Sequence, residues 1–242
     1  MQIKKFLRES FNDYSGKISA VVFAGTCNYR CPSCHAKNLL KGEEEIDEKE
    51  FFDYLDSRKG WIDGVVICGG EPTLQNDLPE FAEKIKKKNL PVKLDTNGSN
   101  YAVLEKLLES KLVNYTAMDV KGPSSIYADL IGKDFIDAEE SYEKAIRIVS
   151  QFPDYEFRTT IVPVARRNSE IRFMTPEEIG ETAKLIYDCT GNNEHKYFLQ
   201  PFVPRRNELI DKRLENFPET PKQLLEECLI EAKKYLPNTK IR

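Results

Sequence analysis

Six short apolar, β-branched runs, each followed by residues at helical spacing, restrict this chain to a few architectures. The first run, 17–24 (Lys-Ile-Ser-Ala-Val-Val-Phe-Ala), is bounded by Ser15-Gly16 and Gly25 and reads as a buried strand. Asp47 is then placed to cap a helix with Phe51, Phe52 and Leu55 on one face. Residues 65–68 form the second run, and Leu78, Phe81, Ala82 and Ile85 follow it. Runs at 91–94 and 113–120 precede helices through Leu104, Leu107 and Leu108, and through Tyr142, Ala145, Ile146 and Val149. The fifth run, 155–162, leads to a helix with Thr175 as N-cap, Pro176 in the first position, and Ile179, Ala183 and Ile186 on its face. Residues 196–199 are the sixth, and Pro221 begins a last helix through Leu225, Cys228, Leu229 and Ala232. The alternation predicts a parallel sheet with helical crossovers. Periodicity leaves two closures open, a doubly wound sheet or a barrel short of eight strands.

No repeat, low-complexity tract or Gly/Ser linker interrupts the 242 residues, so one domain spanning 1–242 is expected. Its core would cover about 17–203, with a helical extension over 204–242. Hydrophobic residues at 40% suffice for a sizeable core, and no apolar run approaches a membrane span. The start, Met1-Gln2-Ile3-Lys4-Lys5-Phe6, has no apolar stretch of signal-peptide length behind it. Six cysteines in a chain this long do not make a disulfide scaffold, so a reducing cytoplasm is the expected compartment. The 36 basic and 40 acidic residues give a net charge of −4, without the basic footprint of a nucleic-acid binder.

Three of those cysteines crowd into Cys27-Asn28-Tyr29-Arg30-Cys31-Pro32-Ser33-Cys34-His35, with three and then two residues between them. A structural zinc site wants four ligands, and a protein-enclosed [4Fe–4S] cube also takes four cysteines. Three thiolates on one loop would leave one iron open to a non-protein ligand. A zinc knuckle completed by His35 or the distant Cys68 is the competing reading, and the adjacency of His35 to Cys34 works against it.

In α/β folds of this kind the active site gathers at the carboxyl ends of the strands. Those ends carry the cysteine loop, Gly69-Gly70-Glu71-Pro72, Asp95-Thr96-Asn97-Gly98, Asp119 with Lys121, Arg158, and Gln200-Pro201-Phe202. Tight turns explain some of the glycines, but not an Asp, Lys and Arg set among apolar neighbours. Cys68, Cys189 and Cys228 form no second cluster and read as small buried hydrophobes. Lys84-Ile85-Lys86-Lys87-Lys88 reads as a solvated helix face, and His195 as a residue at a strand start. Arg166-Arg167 and Arg205-Arg206 fall in loops, where they could dock a partner or simply be solvated.

The Cys-x3-Cys-x2-Cys loop followed by Gly-Gly-Glu-Pro resembles the signature of the radical S-adenosylmethionine enzymes. That resemblance implies an incomplete (β/α)6 TIM-like barrel whose gap admits a macromolecular substrate. It also implies a [4Fe–4S] cluster on Cys27, Cys31 and Cys34, whose open iron is chelated by S-adenosylmethionine and whose electron cleaves it to a 5′-deoxyadenosyl radical. By the same likeness Gly70 and Glu71 meet the amino group of S-adenosylmethionine, and Lys121 and Arg158 its carboxylate. Ser33 and His35 would lie beside the adenine, and Thr96 and Asp119 near the methionine moiety. Asp95, Thr96 and Asp119 match positions that bind a monovalent cation in the glycyl-radical activating branch. A buried carboxylate on turn amides, and structural ion pairs at Lys121 and Arg158, are the plainer alternatives.

Gly16-Lys17-Ile18-Ser19-Ala20-Val21-Val22-Phe23, Asp63-Gly64-Val65-Val66-Ile67, Val92-Lys93-Leu94-Asp95-Thr96-Asn97-Gly98 and Phe157-Arg158-Thr159-Thr160-Ile161-Val162-Pro163 are similar to the activating proteins of anaerobic ribonucleoside-triphosphate reductase. These are relatives of pyruvate formate-lyase activating enzyme. The likeness implies abstraction of a Cα hydrogen from one glycine of a partner enzyme, with a flavodoxin- or ferredoxin-type protein as reductant. Ser33 stands where that family usually has an aromatic residue. Phe202-Val203 stands where the pyruvate formate-lyase branch has a histidine, and there is no ferredoxin-like cysteine domain. A radical enzyme acting on a small molecule or peptide (carboxy-deazaguanine synthase-like) is the alternative, and a non-catalytic iron–sulfur or zinc module a third.

Overall fold

A computed structural model of the chain describes residues 1–41, 45–133, 139–165 and 171–242. Arg166-Arg167 therefore lie outside the described residues. The chain opens with strands β1 (Ile3–Ser10) and β2 (Ser19–Ala24), then helices α1 (Lys37–Lys41) and α2 (Glu48–Ser57). Strand β3 (Gly64–Gly69), helix α3 (Leu78–Lys87), strand β4 (Val92–Thr96) and helix α4 (Tyr101–Glu109) follow. Next come β5 (Tyr115–Asp119), α5 (Ser124–Ile131), α6 (Glu139–Val149) and β6 (Tyr155–Ile161). A small antiparallel hairpin, β7 (Pro163–Val164) with β8 (Arg172–Phe173), precedes α7 (Pro176–Thr190) and β9 (Tyr197–Pro201). Helix α8 (Lys222–Lys233) and β10 (Lys240–Ile241) end the series.

The main sheet has the order β1-β2-β3-β4-β5-β6-β9-β10. From β2 onward every neighbour is parallel, and β1 lies antiparallel on β2. Strands that follow one another in space as they do in sequence, joined by crossovers of one hand, place all the helices on one face. The inherent twist then curls the sheet toward a barrel. Its two edges, β1 and β10, are not paired with each other, so the barrel stays open at the side.

All six expected strands are present, and Asp47 caps α2 by accepting from the Lys49 amide. Thr175 and Glu178 form a reciprocal capping box at the start of α7 with Pro176 behind it. Helix α8 begins one residue past Pro221. Strand β1 escaped the sequence reading because four of its eight residues are charged and most are exposed at the rim. The short α1, α5 and β10 escaped it as well.

Strand alternation divides the sheet into two unlike faces. Ala20, Val22, Val65, Ile67, Leu94, Phe157 and Leu199 face the helices and pack with Phe51, Phe81, Ile85 and their neighbours. Each such side chain, fully buried, contributes about 1.5–3 kcal/mol. On the concave face only Tyr14, Val21, Val66, Tyr115 and Ala117 form an apolar floor, with Phe23 and Cys68 against it. The same alternation turns Lys93, Asp95, Asp119, Glu156 and Arg158 to that concave side. A third, small core of Ala165, Phe202, Leu209 and Leu214 lies under the segment after β9. No helix among the described residues is long and apolar enough to cross a membrane.

Candidate active site

A cavity of about 1230 Å³ occupies the concave side at the carboxyl ends of the strands. Of the residues expected there, Cys27, Cys31, Ser33, Cys34, His35, Gly70, Asp95, Thr96, Asp119, Lys121 and Arg158 all line it. The cavity wall does not include Glu71. Strand β1 adds Lys5 and Leu7, and Cys68 adds a thiol, contributions that the sequence reading did not anticipate.

The cysteine loop is held from several sides. The Arg30 amide donates to Ile131 O at 2.8 Å, and the loop presses on Gly132, where an added Cβ would meet Arg30 O at 2.2 Å. Gly132 also has φ +65°, which glycine alone adopts freely. Tyr29, between the first two cysteines, packs its ring on Tyr127, which in turn packs on Tyr142, whose hydroxyl accepts from the Lys121 amide at 3.0 Å. This buried phenol stack links the loop to the strand end bearing Lys121. The Tyr29 amide donates to Cys27 Sγ at 3.4 Å and the Ala36 amide to Cys34 Sγ at 3.3 Å.

Burial pushes the Cys31 thiol up to about 12, against the pull of nearby Lys121, and burial likewise raises Cys27. Thiols of this kind deprotonate when a metal takes the proton's place. Among the described residues no three His, Cys, Asp or Glu side chains gather around a point for a single ion. A cube instead offers a separate iron to each thiolate, so three soft donors on one cavity-lining loop suit it.

Gly70 closes the loop against β3: its amide donates to Ala24 O at 2.9 Å, and an added Cβ would lie 2.0 Å from Thr26 O. The close approach is thus to the cysteine loop's own backbone. Glu71 points away from the cavity and is fully buried. Its carboxylate accepts from the Thr73 amide and hydroxyl, the Thr96 hydroxyl and the Asn97 amide, at 2.6–3.1 Å. Burial raises its pKa against the pull of those four donors. Glu71 therefore acts one layer behind the wall, fixing Thr96 and Asn97. Asn97, which the sequence reading placed at this strand end without a role, donates from Nδ2 to Asn28 Oδ1 at 3.1 Å and faces Cys27 Sγ at 3.9 Å.

Across β4, β5 and β6 runs a chain of alternating charge. Asp119 and Arg158 are parallel neighbours in register. Arg158 Nε donates to Asp119 Oδ1 at 3.0 Å and Nη1 to Asp95 Oδ2 at 2.9 Å. Lys121 Nζ donates to Asp119 Oδ2 at 2.9 Å, and Lys93 Nζ to Asp95 Oδ1. All four oxygens of Asp95 and Asp119 are thus paired with side-chain cations. A monovalent cation at the expected position would have to share these oxygens with Lys93, Lys121 and Arg158. Below, Glu156 accepts from the Tyr115 hydroxyl at 2.7 Å and from both Arg242 terminal nitrogens at 2.8 and 2.9 Å.

His35 Nε2 donates to Val203 O at 3.0 Å, and its ring lies nearly parallel to that of Phe202. A carbonyl only accepts, so Nε2 carries the proton. Burial lowers the His35 pKa, which keeps the ring neutral near pH 7. Cys189 and Cys228 are buried on the helix side of the sheet, and His195 is buried between the Tyr155 and Thr190 hydroxyls before β9.

Residues 21–186 match the family model described as the radical SAM superfamily. A Methanocaldococcus jannaschii protein provisionally named a glycyl-radical enzyme activating enzyme is 36% identical over 236 residues, 95% of this chain and 91% of its own length. A Thermococcus kodakarensis protein named a probable GTP 3′,8-cyclase is 34% identical over 131 residues, 51% of this chain and 42% of its own length. The solved structure of Streptococcus suis SuiB bound to S-adenosylmethionine superposes with a TM-score of 0.60 at 14% identity, over 90% of this chain and 48% of that one. At such identity the likeness shows a shared fold, and the chain spans about half the length of that structure.

Proposed function

The chain belongs to the radical SAM superfamily, and on that premise we propose that it activates a glycyl radical enzyme by drawing a Cα hydrogen from one of the partner's glycines. As a radical SAM enzyme it uses a [4Fe–4S] cluster and S-adenosylmethionine. The observation that carries the finer reading is the near full-length relative of 36% identity named for that activity. The laterally open cavity supports it, because a loop of another protein can enter from the side.

Cys27, Cys31 and Cys34 would hold the cluster, leaving one iron for the cofactor. When bound, the pair supplies a carbon-centred radical able to take a hydrogen atom. The chain's own residues bind and orient. Arg158 commits Nε to Asp119 and Nη1 to Asp95, and its guanidinium carries further N–H donors. Lys121 commits Nζ to Asp119, with further protons to give. Both therefore retain donors for a carboxylate. Gly70 and Thr96 would line the approach to the amino acid portion, Ser33 and His35 that to the adenine. Asp119 and Asp95 keep the two cations in place, and Glu71 steadies Thr96 from behind. Hydrogen-atom abstraction demands position more than acid–base help.

The partner in this reading is an anaerobic ribonucleotide reductase, the reductant a flavodoxin- or ferredoxin-type protein, and the compartment the cytoplasm. A second reading, chemistry on a small molecule, draws on the cyclase relative that covers half the chain. One anaerobic experiment separates them: reconstitute the cluster, reduce it, and quantify 5′-deoxyadenosine with and without the reductase. A glycyl doublet in electron paramagnetic resonance that needs both proteins supports activation. Turnover of a nucleotide with no protein partner would replace it.

A further inference from the structure

The third cysteine is held by a part of the chain far from the other two. Phe202, Leu209 and Leu214 form a small core of their own, separate from the barrel's. The segment carrying them touches the cysteine loop at three places. His35 Nε2 donates to Val203 O at 3.0 Å, the Ile210 amide to Cys34 O at 3.2 Å, and the Asp211 amide to Pro32 O at 3.0 Å. Both ends of the segment are pinned. Thr220 Oγ1 accepts from the Phe202 amide at 2.7 Å and donates to Ile161 O at 2.9 Å, tying one end to β6. Asp211 caps the 3-10 turn Lys212–Asn216 at the other. The whole segment lies beyond residue 186, where the superfamily match stops.

Cys27 lies three residues past the end of β2, and the Arg30–Ile131 bond fixes the chain just before Cys31. Cys34 lies farthest along the loop, and the carbonyls of Pro32 and Cys34 both accept from amides of this segment. A three-point grip loses most of its advantage if one thiolate wanders. We propose that residues 202–211 are a clasp that positions Cys34 as the third cluster ligand, and that cluster and clasp order one another. Reciprocity is required by linkage: whatever the docked clasp adds to cluster affinity, the cluster returns to docking. The proposal rests on Cys27, Cys31 and Cys34 as the ligands and is independent of which partner the enzyme serves.

Hydrogen exchange on the whole chain, cluster-free and cluster-loaded without oxygen, reads the coupling directly. The Ile210 and Asp211 amides should slow by about tenfold or more on loading, as for local opening whose population falls by that factor. In parallel, Leu209→Ala should lose iron to a ferrous chelator about ten- to a hundredfold faster than the parent, the usual penalty for removing an outer support of a metal ligand. Leu225→Ala, a comparable deletion on the buried face of α8 in the main core, should lose it at the parental rate. Equal exchange in both forms overturns the proposal, as does equal iron loss in the two variants. Should Leu209→Ala fail to fold, the exchange measurement on the parent decides alone. Absence of any iron–sulfur absorption from the reconstituted parent is a different result, which removes the ligand assignment itself and the clasp with it.

Discussion

Arg158 ties together two carboxylates across the cavity wall, each of which has a lysine as its other partner. Its side chain is only 14% exposed, so deleting the charge leaves Asp95 and Asp119 poorly solvated. Arg158→Met should therefore destabilise the cluster-free chain by about 1.5–3 kcal/mol, the usual value of hydrogen bonds to charged groups, since each carboxylate keeps its lysine. Urea denaturation measures it, and a loss under 1 kcal/mol, the usual value of a surface pair, would show the network to be well hydrated. Burial alone would raise the Asp119 pKa, but Lys121 and Arg158 hold it well below the ordinary 3.8. Because the folded value is depressed, the stability it confers is present above the unfolded pKa and drains away as pH falls toward the folded one. The urea midpoint of the parent should thus fall more steeply below about pH 4 than that of Asp119→Asn. Identical slopes would mean that Asp119 is not held by its two cations. Glu71 offers a third check. Glu71→Gln turns one acceptor into a donor facing Thr73, Thr96 and Asn97, and should cost about 1–3 kcal/mol through an unsatisfied buried group. No change in the denaturation midpoint would contradict the four-donor cradle.

At the scale of the element, the clearest signals in the sequence were the ones with a mechanism attached. Thr175-Pro176-Glu177-Glu178 spells a helix start because a threonine hydroxyl and a glutamate can each answer an orphan amide, and the structure contains both bonds. Thr175→Ala should cost about 1 kcal/mol in thermal or urea unfolding and leave iron content unchanged, since α7 supplies nothing to the cavity. Loss of iron in that variant would mean that α7 communicates with the cysteine loop. Asp47 was legible for the same reason. Strand β1 was not, since its charged residues lie at an exposed rim where no burial pattern is imposed. The hairpin of β7 and β8, two residues each, leaves too short a trace to read.

The molecule as a whole is a curled sheet with an apolar outer lining and a charged inner one, open at one side. A ligand that binds only the folded, cluster-loaded form stabilises it by mass action. S-adenosylmethionine at a hundred times its dissociation constant should therefore add about 2.7 kcal/mol, visible as a raised melting temperature under anaerobic conditions. The cluster-free chain should gain much less, because the open iron would be missing. Equal shifts in the two forms would place the cofactor somewhere other than beside the three cysteines.

The sequence by itself determined six of the seven parallel strands, the capped helices and the cysteine loop. Each depends on neighbours within about ten residues, where periodicity and capping act. It also named most of the cavity wall, because carboxyl ends of parallel strands converge. Only the tertiary structure decided which polar groups face one another. Glu71 went behind the wall because Thr96 and Asn97 arrive there from the next strand. Asp95 and Asp119 were claimed by Lys93, Lys121 and Arg158 across three strands, and Cys34 by amides near residue 210. Apart from the local Lys93–Asp95 and Lys121–Asp119 pairs, these partnerships join residues far apart in the chain, so no local pattern can encode them. They follow from which strand lies beside which, and from the need of every buried charge and amide for a partner.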